Sequence, residues 1–377
     1  MKLIRTVKLL ILCLSATYGL AQAQTSDEIP WVSCTGDLVS PPKISFRVLG
    51  VGDMVFSEDS KLNEIGFQNL VSQYKKNNFV FGNLEGVITT KKVSRKKYIP
   101  GRSYAFRFPP DTARLLKDSG FHAVTLANNH ALDFGEDGLE EGVIFLDDAG
   151  VIPSGNRKGG YQIISVGGKK IALLGFGFYS YQNSVLDIEV AESLIKAAKD
   201  ESDLVIVSMH GGTEGEGAIY LKDGPEFFLN EPRGDLRKFA KKAVASGADI
   251  IFGHGPHVVR GAECIEGKPV IYSVGNYVSA GGLSVKNLSA ASTLGEFIYD
   301  GNLNFIGLRL LPIAYDDNKF PQYDSLGKGV LLTNYLSRYY SEQMQGFKPI
   351  LFMGFEDKLD LFRSWSAPFL RKNGPTP

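Results

Sequence analysis

The sequence predicts an α/β fold whose strands deliver polar residues to one rim. Three observations predict it. Short β-branched and aromatic runs alternate with helical stretches from about residue 45 to residue 280. Six strand ends carry a carboxylate, an amide or an imidazole, at Asp53, Glu85, Asn129-His130, His210, His254-x-x-His257 and Asn276. Of the 5 histidines in the chain, only His122, at a strand entrance, lies away from these ends and reads as scaffold.

The N-terminus stands apart from the fold. Lys2, Arg5 and Lys8 precede and adjoin an apolar run from Leu9 to Leu14, and Ala21-Gln22-Ala23 follows. That order reads as a cleavable secretory signal over residues 1–23, in a run too short to be an uncleaved anchor. Residues 24–43, with Pro30, Pro41 and Pro42, read as a linker or an edge segment. Removing the signal leaves Cys34 and Cys264. An oxidising compartment permits a bridge, but nothing in the sequence brings the two together, and the expectation is two unpaired thiols.

The chain as a whole has ordinary globular composition, 44% hydrophobic and 22% charged. Lys+Arg and Asp+Glu each number 41, so no net field selects nucleic acid or an anionic membrane. No segment after the signal is apolar enough to cross a bilayer.

Taken in order, Ser45–Gly52 predicts a strand ending in Asp53, and residues 62–74 have helical spacing. Phe79–Phe81 predicts a strand running into Gly82-Asn83-Leu84-Glu85. The basic stretch Lys91–Lys97 reads first as a solvated loop, and alternatively as a substrate-facing one. A helix is expected over Pro110–Ser119, with proline in the favoured first turn. A strand over Ala123–Leu126 then closes in Asn128-Asn129-His130. A helix over Glu136–Ala149 precedes a hairpin around Gly167-Gly168, and a helix over Ile188–Lys199 leads to the strand ending in His210. The stretch Gly211–Pro232 is long enough for a lid or a substrate loop. A helix over Arg233–Ser246 is stopped by Gly247, and the strand Asp249–Phe252 turns through Gly253 into His254 and His257. A strand over Pro269–Val274 ends in Asn276. Beyond Gly281 the pattern loosens, with a strand expected over Asn304–Ile313 and a helix over Val330–Met344.

Ligands of α/β sheets sit beyond the carboxyl ends of the strands. The residue types gathered there suit borderline divalent cations such as Zn, Mn or Fe rather than a calcium cage. Taken singly, Asp53 reads as a helix cap, Glu85 as a surface acid, Asn129 as a turn residue and His210 as a core histidine. Six such ends together point to a metal centre, and six ligands exceed the four of a structural zinc, which suggests two adjacent ions.

Gly52-Asp53, Asn83-Leu84-Glu85, Ala127 to Asp133, His210-x-Gly212-x-Glu214, Gly253-His254-x-Pro256-His257 and Tyr272-Ser273-x-Gly275-Asn276 together resemble the motif series of the CapA family, over about residues 46–279. That family is named for capsule and poly-γ-glutamate biosynthesis and is similar to calcineurin-like metallophosphoesterases. The resemblance implies a four-layer α/β/β/α sandwich over residues 44–281, with a C-terminal extension over 282–377 packing on it. It implies Glu85 as a bridging carboxylate, Asn129, His210 and His254 on one metal, Asp53 and His257 on the other, and His130 as general acid. Arg107, Asn128, Asp133, Glu214 and Asn276 are candidates for the substrate side. The chain departs from the pattern at Met54-Val55, where metallophosphoesterases carry a histidine, at Ser57-Glu58 and at Gly211.

These implications lead to metal-assisted hydrolysis of a phosphoester by a secreted, periplasmic or envelope protein. The alternatives are a non-catalytic component that binds an anionic polymer for export with envelope partners, and a γ-glutamyl amide hydrolase.

Overall fold

The computed structural model describes residues 28–67, 76–97 and 103–370. The expected signal at 1–23 lies outside the described residues, as does the second half of the helix expected over 62–74.

Two principal sheets carry the fold among the described residues. The larger runs Leu38–Val39, Trp31–Val32, Phe305–Tyr315, Ser292–Asp300, Ser45–Met54, Phe79–Leu84, Ala123–Thr125, Ile152–Ser154. The smaller runs Ala262–Ile265, Lys268–Ile271, Ile250–His254, Leu204–His210, Lys169–Phe176, Gln162–Val166. The last four strands of the larger sheet are mutually parallel, as are the four central strands of the smaller. Parallel strands bring their carboxyl ends to one edge, so the polar residues that follow them collect on neighbouring edges.

The sheets meet through aromatic side chains. Phe252 of the smaller sheet packs edge-on to Phe81 at 5.3 Å and to Phe297 at 6.1 Å, both in the larger. Its ring seats on bare backbone where Gly50 and Gly295 stand opposite one another in register. A Cβ at Gly50 would come within 2.7 Å of that ring, and one at Gly295 within 2.6 Å. Helices Ile188–Glu201 and Leu236–Ala245 pack on the smaller sheet, Glu136–Ala149 packs beside Ile152–Ser154, and Asp111–Asp118 leans on Glu136–Ala149. None of the described helices is long and apolar enough to cross a membrane.

Most expected elements are present. The helices over Glu136–Ala149 and Ile188–Glu201 and the hairpin around Gly167-Gly168 match closely. The expected helix over Arg233–Ser246 starts only at Leu236, because Asp235 caps it by accepting from Lys238 N at 3.0 Å. Arg233 instead lies in a hairpin with Glu226–Phe228. Asn276 does not end the strand before it. That strand stops at Ile271, the chain crosses between sheets, and Asn276–Val278 pairs in parallel with the end of Ser45–Met54. Beyond Gly281, Ser292–Asp300 enters the larger sheet between Phe305–Tyr315 and Ser45–Met54. Its pattern was masked by Glu296, a buried acid neutralised by the facing Arg309 at 2.6 Å.

Cys34 and Cys264 are bonded, with Cα atoms 5.4 Å apart across 230 residues of chain, so the expectation of two unpaired thiols is corrected. Trp31–Val32 adds to the edge of the larger sheet and carries Cys34 to the outer strand of the smaller. The long stretch after His210 is firmly held. Arg260 grips Glu226 with both terminal nitrogens at 2.8 Å and Ala218 O at 2.6 Å, and Tyr340 receives Leu221 N at 3.0 Å.

Candidate metal centre

Asp53 and Glu85 are wholly buried, at 0% exposure. Asp53 ends its strand at a register shift, where the strand opened by Asn276 runs alongside. A side chain at Gly52 would collide with Gly275 O at 2.1 Å, so the close approach requires glycine there. Around Asp53 lie His254 Nδ1 at 3.3 Å, His257 Nδ1 at 3.2 Å, and Gly255 N, which donates at 3.2 Å. Glu85 Oε1 faces His257 Nε2 at 3.6 Å and both His130 Nε2 and His210 Nε2 at 3.9 Å. Ligand atoms of Asp53, Glu85 and His210 all lie within 4.8 Å of one another. The structure thus brings the sequence-predicted acids and imidazoles into one pocket. The surface-acid reading of Glu85 is excluded by its burial.

The pocket leaves many polar atoms unanswered. Both carboxylate oxygens of Glu85, His210 Nε2 and His254 Nε2 are buried without a hydrogen-bond partner, as is Asn129 Oδ1 on the turn before His130. Each such atom costs about 1–3 kcal/mol, more for a charged group. A fold tolerates that density of orphans when an ion answers them, and the donors are those borderline divalent cations prefer. This buried group can hold a metal ion.

Electrostatics agree. Burial drives the Glu85 carboxyl well above its ordinary range, with the Asp53 and Glu214 charges adding to it against His257. Burial also pushes Asp53 upward, but His254 and His257 overcome it and hold the carboxyl well below the usual range. His257 loses to burial less than it gains from Glu85 and Asp53, and rises to about 10. Burial holds His210 well below its ordinary value. His257 also has a left-handed backbone, φ 59°, uncommon for a residue with a side chain and a mark of functional sites.

His130 sits on the rim. Its Nδ1 is 2.7 Å from Asp133 Oδ2, leaving Nε2 toward Glu85. Burial lowers its pKa against the opposing pull of Asp133. Phe106 covers its ring at 4.4 Å.

The candidates for the substrate side are mostly engaged within the protein. Asn128 donates to Asn83 Oδ1 at 3.0 Å and Leu84 O at 2.9 Å, and accepts from His130 N at 3.0 Å. Asn276 Oδ1 meets His257 Nδ1 at 2.9 Å. Glu214 pairs with Arg233 at 2.6 Å, and Arg107 is gripped by Glu58 at 2.7 Å. Asp133 orients His130.

Sequence reasoning missed two residues, Asn83 and Arg233, and named Lys96 only as part of the basic stretch. Asn83 donates to Asp53 Oδ1 at 2.8 Å and lies 3.2 Å from His210 Nδ1. It stands two positions before Glu85, and the two-residue period of a strand was the available signal. Lys96 reaches Asp133 Oδ1 at 2.9 Å, giving the basic stretch one member at the site. Arg233 stacks over Phe178 at 4.1 Å beside Glu214 and was hidden by the helix expected there. His122 is scaffold as expected, accepting from Val80 N at 3.2 Å.

Fold and site together define an α/β protein with a buried acid–imidazole centre able to bind metal. A family model for the bacterial capsule synthesis protein PGA_cap matches residues 47–280, and the chain belongs to that family. It is 30% identical over 230 residues to the PGA biosynthesis protein CapA of Bacillus subtilis (strain 168), covering 56% of each chain. It is 28% identical over 254 residues to the capsule biosynthesis protein CapA of Bacillus anthracis, covering 60% of this chain and 58% of that one. The chain therefore spans little more than half the length of these relatives. Among solved structures, a hypothetical protein from Thermus thermophilus aligns with a TM-score of 0.45 at 18% identity, over 71% of this chain and 98% of that one.

Proposed function

We propose that this protein is a metal-dependent phosphoester hydrolase that serves the making or export of a capsular or poly-γ-glutamate polymer. The orphaned acids and imidazoles gathered beside the His130–Asp133 pair carry the reading. A purely structural ion needs no proton-transfer group beside it. The printed names of the relatives support the polymer context. The packing of helices against two facing sheets supports the four-layer sandwich of the calcineurin-like metallophosphoesterases. The disulfide supports folding in an oxidising compartment, consistent with a secretory signal over 1–23.

In this reading two ions, Mn, Fe or Zn, would be held by Glu85 together with Asn129, His210 and His254 on one side and Asp53 and His257 on the other. Ions held there supply Lewis acidity toward a substrate oxygen and a more acidic water. Asp133 accepts from His130 Nδ1 and fixes the ring, so Nε2 is the atom that, in the doubly protonated ring, would pass a proton to the leaving oxygen. Asn83 and Asn276 hold His210 and His257 in place, the outer-shell role that sets ligand orientation.

The test is turnover of a chromogenic phosphoester by metal-free and manganese-loaded protein, with His130→Ala beside the wild type. The reading expects metal-dependent turnover that falls about 10²–10⁴-fold in the variant, with metal content retained. Loss of metal along with activity makes His130 a ligand. Bound metal without turnover of any phosphoester, or turnover of a γ-glutamyl amide alone, overturns the reading.

A further inference from the structure

We propose that Lys96 recognises a second anionic group on the substrate, a carboxylate or phosphate on the leaving-group side of His130. The proposal rests on the hydrolytic reading above.

The stretch carrying Lys96 is seated on the turn that presents His130. Ser94 Oγ and Arg95 N both donate to Asp133 O, at 2.7 and 2.8 Å, and Lys91 pairs with Asp137 at 3.0 Å. This places Lys96 Nζ 2.9 Å from Asp133 Oδ1, 3.4 Å from Asn129 O and 3.3 Å from His130 Nδ1.

Counting hydrogens shows which of these contacts are bonds. Asp133 Oδ2 accepts from Phe106 N at 2.8 Å and faces His130 Nδ1 at 2.7 Å, so Nδ1 carries its hydrogen toward the carboxylate. Nδ1 then has no lone pair for the lysine, and their 3.3 Å approach is not a hydrogen bond. An ammonium has three donors. Among the described residues Asp133 Oδ1 and Asn129 O take two, and the third is left for a group from outside. The side chain is 30% exposed, so such a group can reach it.

Among the described residues, Arg107 pairs with Glu58, Lys91 with Asp137, and Arg233 with Glu214 and Glu231. Lys96 lies on the Nδ1 side of the ring whose Nε2 faces Glu85. A substrate whose bridging oxygen meets Nε2 would carry a charge close beyond that oxygen to the ammonium. The class this selects is a phosphoester with an anionic leaving group.

The experiment is calorimetric titration of manganese-loaded wild type, Lys96→Met and Lys96→Arg with three probes, with released orthophosphate measured in parallel. Ethyl phosphate lacks the second charge, phosphoglycolate adds a carboxylate, and ethylene glycol bisphosphate adds a phosphate. The wild type is expected to bind one or both doubly anionic probes about tenfold tighter than ethyl phosphate. Lys96→Met is expected to erase that preference and Lys96→Arg to keep most of it. The proposal is overturned if the wild type shows no preference, or if Lys96→Met weakens all three probes equally. If Lys96→Met does not melt cooperatively, the wild-type preference and its retention in Lys96→Arg decide. A Lys96-dependent preference without orthophosphate release defeats the hydrolytic reading and leaves this one standing. Hydrolysis without the preference does the reverse.

Discussion

His257 Nδ1 lies 2.9 Å from Asn276 Oδ1, and that contact ties the turn after one sheet to a strand of the other. Asn276 is itself held by Tyr315, which donates to its carbonyl at 2.7 Å, and its amide donates to Ser284 O at 3.1 Å. His257 is therefore aimed from outside its own turn, in a backbone conformation that would otherwise relax. Replacing Asn276 with Ala is expected to lower metal affinity roughly 10–100-fold with the fold intact. Chelator competition measures the first and thermal melting the second. Unchanged affinity would leave Asn276 to the substrate side.

The raised pKa of His257 makes the metal-free fold sensitive to alkali. Its folded value is about 10 against an ordinary 6.5, so its stabilising contribution is complete below pH 6.5 and is lost as pH rises through 10. The melting temperature of metal-free protein should fall across that window. Metal loading should flatten the slope, because an ion takes the place of the proton and releases it. Proton release on loading is measurable by calorimetry in buffers of different ionisation enthalpy. A slope that survives loading would remove His257 from the centre.

The Cys34–Cys264 bond closes a loop of 230 residues and joins an edge of each sheet. Replacing both cysteines with Ser is expected to cost about 2–5 kcal/mol. Denaturant unfolding with and without reductant measures it, and reductant should move only the wild type.

Much of the centre was legible because strand ends are local. An aromatic or β-branched run ending in Asp53, Glu85, His210 or His254 states its geometry within a few residues, and parallel pairing does the gathering. What was illegible depended on distant partners. Nothing near Cys34 names Cys264. Arg309 and Glu296 each look wrong for a buried strand until they face one another. Asn276 was read as ending a strand because the chain's crossing between sheets leaves no local mark. The salt bridge of Arg107 with Glu58, 49 residues away, likewise leaves no local mark.

The central claim is that Glu85 is buried and unpartnered in order to hold an ion. Manganese titration of metal-free wild type and Glu85→Gln, with melting of both, tests it most directly. The account predicts stoichiometric uptake by the wild type. It predicts a loss in Glu85→Gln greater than the roughly 10–100-fold an outer-shell partner carries, with cooperative melting retained by the metal-free variant. A wild type that takes up no ion, or a Glu85→Gln variant that binds as tightly, would contradict it.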